Sequence, residues 1–287
     1  MRDSETEEKG KPTKSPFRDK DVLKKEITAF INIHKASIVH QADRISDFFE
    51  MSCFNYIVGY YVKSGYEVRP AGLQGGIYKY KCSTMGVQSN FSYFEAKFTS
   101  GDDTLAFEIH HNLAVQSAHL DKIFTTPDIS VIRASSVCYT TEHYERKVRF
   151  SFVKQADIIS FCEVKNFNPF PELLFNFIGI INELNPAIIN DTAVIQRPGH
   201  IAPCLMVSGH PNRHLKDIKE SLESRYCINI LFSLFYTATR TFAKKYLDRV
   251  RQTGPLSAYH PTSKFPSYDK DFFDEFLEEE EEEDLSA

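Results

Sequence analysis

One strand-like run of the chain carries two charges where a buried strand should be apolar. Residues 157–167 read DIISFCEVKNF, and their isoleucine, phenylalanine and cysteine are typical of a strand that is covered on both faces. Alternate side chains of a strand share a face, so Glu163 and Lys165 point the same way and Val164 points the opposite way. Burying such charges costs several kcal/mol unless they are paired or bound to a metal ion. The sequence therefore predicts that partners for Glu163 and Lys165 converge at the end of this strand.

The predicted elements around this strand follow a mixed order. Helices are predicted from about Asp19 to Ala36 and from about Ala42 to Ser64, with Gly65 ending the second. Turn-separated runs then predict short strands: YEVRPAGL, GIYKYKCST, FSYFEAKFT, TLAFEIHHNLAV, DISVI and RKVRFSFV. Beyond residue 167 come a helix (PELLFNFIGIINEL), a strand (IAPCLMVSG), a helix capped by Asn212, the ambiguous run CINILFSLF, and a helix (TATRTFAKKYLDRVRQ). This order predicts an α/β fold with a mixed central β-sheet flanked by helices.

Composition places the chain among globular proteins and argues against several other classes. The 287 residues are 42% hydrophobic and 25% charged, which is ordinary for a globular protein. The sequence has no apolar run of the roughly 18 residues that span a membrane, and its polar N-terminus predicts no secretory signal. Six scattered cysteines without a CxxC pair favour reduced thiols over disulfides or a zinc site. We therefore expect a cytoplasmic protein without a membrane partner.

The charge is distributed unevenly and marks the ends of the predicted domain. Residues 1–18 are predicted to be a disordered arm, 19–253 one domain, and 254–287 a linker with an acidic disordered tail. The stretch 269–287 holds eleven acidic residues and one lysine, which leaves 33 basic and 28 acidic residues elsewhere. A mildly basic body is compatible with nucleic-acid binding. The tail can be read as a solubilising end, as a docking segment for a partner protein, or as a mimic of DNA that competes for a basic cleft.

An acidic residue upstream supplies the expected partner for the charged strand. Asp128 follows Pro127 at the start of the apolar run DISVI, so the chain carries PD followed by Glu163-Val164-Lys165, or ExK. This arrangement resembles the PD-(D/E)XK nuclease superfamily, which has a restriction-endonuclease-like core. The resemblance implies that Asp128 and Glu163 lie on neighbouring strands and hold Mg²⁺, for which Mn²⁺ can substitute. It also implies that Lys165 orients or activates the attacking water.

These residue types suit phosphodiester hydrolysis. The reaction needs a Lewis acid on the phosphate, an activated water and stabilisation of the developing negative charge. Hard carboxylate oxygens suit magnesium, and a nearby lysine can stabilise that negative charge. The resemblance covers about residues 42–235, and its 35-residue gap between Asp128 and Glu163 requires an insertion near 135–153. The alternative is that Asp128 caps a turn and that Glu163 and Lys165 form a surface ladder.

Glu50 is a further candidate for the metal site. In the predicted helix it shares a row with Phe54, Ile57 and Tyr61. A glutamate on such an apolar row is not expected to serve as a solubilising surface residue. Many members of the superfamily carry a glutamate on the helix before the sheet, directed at the metal. The resemblance therefore implies that Glu50 is an additional metal ligand or a residue that contacts a ligand, and the alternative is a partly exposed helix glutamate.

A row of polar residues on the run LAFEIHHNLAV could also contact substrate. Glu108, His110 and Asn112 share one face of this predicted strand, opposite His111. A solvated sheet face is the commoner origin of such a row. The adjacent histidines point in opposite directions on a strand, so the pair does not predict a zinc site.

DNA contacts are expected from basic residues on two predicted helices. Phosphate contacts by lysine and arginine give affinity without sequence information. The candidates are Arg213 and Lys216 on one helix and Arg240, Lys244, Lys245 and Arg249 on the other. Plain solvated helix faces are the alternative.

The sequence as a whole predicts a metal-dependent endonuclease that hydrolyses DNA, in the manner of a restriction or anti-phage defence nuclease. A DNA-repair or RNA-processing nuclease with the same core is one alternative. A non-catalytic nucleic-acid-binding or interaction module is another. The sequence leaves the oligomeric state open, with a homodimer as one arrangement.

Overall fold

The computed structural model describes residues 20–38, 44–100, 103–190, 199–234 and 250–253. Five α-helices lie within these ranges: α1 (Lys20–Ile33), α2 (Ile45–Lys63), α3 (Pro171–Leu184), α4 (Pro186–Ile189) and α5 (Arg213–Arg225). Thirteen strands lie within them: β1 (Ser37–Ile38), β2 (Glu67–Ala71), β3 (Ile77–Tyr78), β4 (Tyr93–Ser100), β5 (Asp103–His111), β6 (Ala114–Gln116), β7 (Phe124–Thr125), β8 (Ile129–Arg133), β9 (Val137–Thr140), β10 (Phe150–Val153), β11 (Ile158–Lys165), β12 (Cys204–Val207) and β13 (Asn229–Leu231). The predicted arm, the acidic tail and most of the last predicted helix lie outside the described residues.

A seven-stranded sheet forms the centre of the molecule, in the order β13-β12-β11-β8-β5-β4-β2. The three strands β11, β12 and β13 run parallel to one another. The remaining pairs, from β11–β8 through β2–β4, are antiparallel. The predicted α/β class with a mixed central sheet is therefore confirmed, and the sheet is largely antiparallel.

Helices cover both faces of this sheet. Side chains from α1 and α2 share one apolar cluster with residues of the central strands, among them Phe94, Ile109 and Val131. Side chains from α3 and α5 share a second cluster with Phe161, Leu205 and other strand residues on the opposite face. Seven of the eight residues of β11 are buried, which follows from its position between these two layers.

Helix α2 is buried on nearly all sides. All residues from Phe48 to Tyr61 except Glu50 are buried, because the segment is apolar around nearly its whole circumference. The helix ends at Lys63, and Gly65, the residue predicted to end it, follows with a φ of 85°. The N–H groups of Gly65 and Tyr66 donate to the carbonyls of Val62 and Tyr61, both at 3.1 Å. A left-handed conformation at this point is one that glycine adopts readily.

A second, smaller sheet lies beside the central one, in the order β7-β6-β10-β9. Strands β9 and β10 pair antiparallel, and β10 pairs parallel with β6. The segment 135–153, for which the sequence predicts an insertion, thus forms a hairpin that extends this small sheet.

Several predicted elements are shorter or divided in the structure. The run GIYKYKCST is extended only at Ile77–Tyr78, where it pairs with β1. The run TLAFEIHHNLAV is divided at Asn112, whose φ of 50° interrupts the strand between β5 and β6. The first helix ends at Ile33 rather than near Ala36, and Lys35 there has a φ of 55°. The ambiguous run CINILFSLF contains strand β13.

The described helices include none that is long and apolar enough to cross a membrane. All six cysteines lie within the described ranges as free thiols, and four of them are buried.

Candidate active site

The antiparallel pairing of β8 with β11 brings the two predicted motifs together. Ile129 lies opposite Cys162, so Asp128, one residue earlier, lies beside the end of β11. The backbone N–H of Val164 donates to Asp128 Oδ2 at 2.5 Å. The carboxyl group of Asp128 is thus fixed to the strand that carries the ExK residues.

Lys165 joins the two acidic residues. Its Nζ lies 2.9 Å from Glu163 Oε2 and 3.1 Å from Asp128 Oδ2. The two carboxylate oxygens are therefore no more than about 6 Å apart (2.9 Å plus 3.1 Å). Glu163 is buried and Lys165 is partly exposed. Because both side chains take part in this cluster, the alternative of a solvated surface ladder does not describe them.

Glu50 reaches the same cluster from the first turns of α2. Its side chain is 19% exposed, and its Oε2 lies 3.7 Å from Nε2 of the buried His111. Burial, together with the neighbouring carboxyl of Asp128, which shares a hydrogen bond with Glu50, raises the pKa of Glu50 to about 9. The predicted row of Glu50, Phe54, Ile57 and Tyr61 therefore faces the interior, and Glu50 is its member at the edge of the sheet.

The electrostatics of the cluster follow from three acidic groups and one ammonium. Burial and the charge of Asp128 raise the pKa of Glu163 to about 7, although Lys165 opposes this shift. Burial alone would lower the pKa of Lys165, but Asp128 and Glu163 outweigh it and hold that pKa above its ordinary value. The cluster therefore favours a bound cation and disfavours ionisation of all three carboxyl groups together.

The described residues contain no group of three His, Cys, Asp or Glu side chains that converge as a preformed metal site. At the predicted position, Lys165 Nζ lies between the carboxylates of Asp128 and Glu163. Magnesium is usually bound by one or two carboxylates, together with waters and substrate phosphates, rather than by a cage of protein ligands. The hard oxygen donors of Asp128 and Glu163 fit that mode of binding.

A polar cavity of about 340 Å³ adjoins the cluster. It is lined by Glu50, Asp128 and Asn112 and by polar side chains that the sequence analysis did not single out, including Arg44 and Asn166. Asn166 directly follows the ExK residues, so its position next to a candidate site was a signal in the sequence. Arg44 precedes α2 and offered no comparable signal.

A buried polar network holds the backbone of Asp128. The N–H of Asn112 donates to the carbonyl of Asp128 at 2.8 Å. Asn112 is itself held by Lys81, whose buried Nζ donates to the Asn112 carbonyl at 2.7 Å and whose carbonyl accepts from Asn112 Nδ2 at 2.8 Å. The left-handed backbone of Asn112 is therefore stabilised from two sides. Lys81 lies 31 residues away in the chain, which is why sequence reasoning missed it.

The same network corrects the expectation of a solvated face for Glu108, His110 and Asn112. All three are buried. Glu108 accepts from His110 Nε2 at 2.8 Å and from the N–H of Ser135 at 2.8 Å, and His110 Nδ1 contacts Gln88 Nε2 at 3.1 Å. Their polar groups thus have protein partners rather than solvent, and Asn112 is the member of the row that contacts Asp128.

The predicted nucleic-acid contacts are only partly within the described residues. Arg213 and Lys216 are exposed on the first turns of α5, which begins shortly after the C-terminal end of β12. Because β12 runs parallel to β11, this helix begins at the edge of the sheet where Lys165 lies. The other four predicted residues, Arg240, Lys244, Lys245 and Arg249, lie outside the described residues.

Comparisons of the chain with protein-family models, with curated proteins and with solved structures give no match.

Proposed function

We propose that the chain is a divalent-metal-dependent endonuclease that hydrolyses DNA phosphodiester bonds. The observation that carries the proposal is the contact of Lys165 Nζ with the carboxylates of both Asp128 and Glu163. Buried like charges with one shared counter-charge are costly to maintain, and such clusters concentrate at functional sites. The adjoining polar cavity gives a substrate access to the cluster.

A restriction-endonuclease-like core is part of the same proposal. Its support is the order of elements around the motif. Helix α2 precedes antiparallel strands, Asp128 lies immediately before β8, and the ExK residues end the neighbouring strand β11. Helix α3 follows, and the chain returns as β12, parallel to β11. The expected helix glutamate corresponds to Glu50, which lies in α2 beside Asp128.

Each residue of the cluster has a role in this proposal. Asp128 and Glu163 would hold Mg²⁺, with Glu50 as an additional ligand or as support for Asp128. The chemistry that Mg²⁺ supplies when bound is Lewis-acid polarisation of the phosphate and a lower pKa of the attacking water. The Lys165 ammonium stabilises negative charge that develops on the phosphate. Val164, through its N–H, and Asn112, through its contact with the Asp128 carbonyl, fix the position of Asp128.

The biological role in this proposal is restriction or anti-phage defence in the cytoplasm, and its support is the resemblance alone. Arg213 and Lys216 are proposed to contact phosphates, because they are exposed at the same edge of the sheet.

The test is a cleavage assay on four substrates: supercoiled plasmid, linear duplex, single-stranded DNA and RNA, each with Mg²⁺ or Mn²⁺ and with a chelator. We expect metal-dependent cleavage of DNA that is lost in Glu163→Ala and Lys165→Ala, with circular dichroism showing that both variants fold. The matched controls are Glu142→Ala and Lys147→Ala, which remove an exposed acid and an exposed base from the loop between β9 and β10. Cleavage at the wild-type rate by either active-site variant would contradict the assignment of that residue to the active site. Cleavage of RNA but not DNA would favour the RNA-processing alternative.

A further inference from the structure

Two phenylalanine rings are exposed directly after the ExK residues. Phe167 and Phe170 are each 44% exposed. Their ring centroids are 5.9 Å apart and the ring planes differ by 20°, so the rings are stacked. Most large apolar side chains of this molecule are buried in two clusters on the faces of the sheet. A stacked, exposed pair at the end of the central strand is therefore a feature that folding alone does not require.

The loop that carries these rings is held firmly by the neighbouring strand connection. The N–H of Ser208 donates to the Lys165 carbonyl at 3.1 Å, and Ser208 Oγ donates to Asn166 Oδ1 at 2.7 Å. Gly209 packs so closely that a Cβ there would lie 2.5 Å from the Phe167 carbonyl oxygen. These backbone contacts fix where the loop leaves β11, so the rings are presented at a defined position.

That position adjoins the candidate active site. Phe167 is two residues after Lys165, so their Cα atoms are no more than about 7 Å apart. Successive bases of one nucleic-acid strand are about 3.4 Å apart along a helix axis. If a phosphate of a nucleic-acid strand lies at Lys165, a base one or two nucleotides along that strand would thus lie near the ring pair. Asn166, between them, lines the cavity beside Asp128.

The charges nearby favour a nucleic acid as the occupant. Helix α5 begins at the same edge of the sheet, and its first turns expose Arg213 and Lys216. Stacked aromatic rings beside basic side chains are the combination that binds single strands, because base faces stack on the rings while the phosphates meet the positive charges. In a duplex the base faces are covered by their neighbours, so only an unpaired strand can use such rings.

We propose that Phe167 and Phe170 form a base-stacking platform that binds an unpaired nucleic-acid strand at the Asp128–Glu163–Lys165 cluster. The proposal rests on the proposed nuclease function for the role of that cluster, and it assigns a substrate class: single-stranded or locally unpaired polynucleotide. Stacking involves the faces of the bases and not their edges, so the platform accepts different sequences.

The experiment measures binding without chemistry. Fluorescence anisotropy of the full chain in chelator is followed with labelled oligo-dT, oligo-rU and a duplex of equal length. We expect the wild type to bind a single strand more tightly than the duplex. Phe167→Ala and Phe170→Ala should each weaken single-strand binding between about 5- and 150-fold, the range for loss of one base–aromatic stack. The matched control is Phe175→Ala, which removes a phenylalanine that is 52% exposed on α3, and it should change binding less than twofold.

Salt separates stacking from phosphate contacts. Raising the salt concentration weakens the phosphate contacts and therefore single-strand binding by every variant. The ratio of the dissociation constants of Phe167→Ala and the wild type should stay constant. Equal effects of Phe175→Ala and Phe167→Ala would overturn the platform, as would tighter binding of the duplex or no binding of either oligonucleotide. The last result would instead direct attention to a protein partner for the ring pair.

The outcomes also separate this proposal from the nuclease itself. A chain that cleaves no substrate, but loses single-strand binding in Phe167→Ala, would refute the nuclease and support the platform. A chain that cleaves a duplex at the wild-type rate in Phe167→Ala would support the nuclease and overturn the platform. A preference between oligo-dT and oligo-rU would identify DNA or RNA as the strand, and either preference supports the platform.

Discussion

Replacing Glu50 by glutamine should stabilise the metal-free protein, and the gain should grow with pH. Burial and the carboxyl of Asp128 raise the pKa of Glu50 from 4.5 to about 9. The folded protein therefore keeps a proton on Glu50 at neutral pH, whereas the unfolded chain releases it. The stability that this group contributes is fully present below pH 4.5 and is lost as pH rises toward 9. Glutamine keeps the size and the hydrogen-bonding capacity of the protonated acid and has no proton to lose.

The magnitude follows from the size of the shift. Each pH unit above 4.5 costs the folded state about 1.4 kcal/mol until the pH reaches the folded pKa. The penalty is below about 1 kcal/mol at pH 5 and about 3 kcal/mol at pH 7. Glu50→Gln should therefore increase the free energy of unfolding by up to these amounts, because Glu50 is only 19% exposed and solvent screening is small.

Urea denaturation in chelator at pH 5, 7 and 8 measures the effect. The control is Glu142→Gln, an exposed glutamate, which should show no comparable trend with pH. A gain that is the same at all three pH values would refute the reasoning, since it would not come from the proton on Glu50. Destabilisation at pH 8 would refute it as well, because it would mean that the ionised carboxylate is favoured in the folded state.

Three further changes test the framework around the site. Asn212→Ala removes the side chain that accepts from the Leu215 N–H at 2.9 Å and should cost about 1 kcal/mol of stability in a denaturant melt. Gly209→Ala should destabilise by about 1–3 kcal/mol because its Cβ would clash with the Phe167 carbonyl, whereas Gly179→Ala, with no atom within 4 Å, should be neutral or stabilising. Burial lowers the pKa of His200 from 6.5 to about 4. The stability that the neutral imidazole contributes is therefore lost as pH falls below 6.5, and the loss amounts to about 2 kcal/mol at pH 5. The loss of stability between pH 7 and pH 5 should therefore be smaller in His200→Gln, and an unchanged loss would contradict the assignment.

The local signals in the sequence predicted the elements that carry the site. Pro171 begins α3, and Asn212 caps α5, as their residue types indicated. Alternation along β11 correctly placed Glu163 and Lys165 on one face, where they form an ion pair. The proximity of Asp128 also followed from its motif, although the catalytic roles of these residues stay predictions.

The features that depend on distant contacts could not be read from the sequence. The polar face that includes His110 was expected to be solvated, because the partners that bury it, Gln88 and Ser135, lie more than 20 residues away in the chain. The division between β5 and β6 arises at Asn112, whose conformation is stabilised by Lys81. The parallel pairing of β10 with β6 also joins segments that no local pattern connects. In each case a tertiary contact decides between local structures that the sequence alone leaves open.

The energetics of the cluster connect stability with the proposed function. Asp128 is fixed at three points: its carboxyl accepts from Val164 N–H and binds Lys165, and its carbonyl accepts from Asn112. Helix α2 and strand β11 bring Glu50 and Glu163 to this fixed carboxyl, and burial together with the charge of Asp128 raises the pKa of each. A glutamine at position 50 would fill the same space and has no proton to gain on folding, so the acid is a cost of about 3 kcal/mol at pH 7 that packing does not require. Groups that lower stability in this way are expected where activity depends on them. If Glu50→Gln is more stable and still cleaves at the wild-type rate with limiting Mg²⁺, the stability cost of Glu50 is not linked to activity. The proposed active site would then consist of Asp128, Glu163 and Lys165.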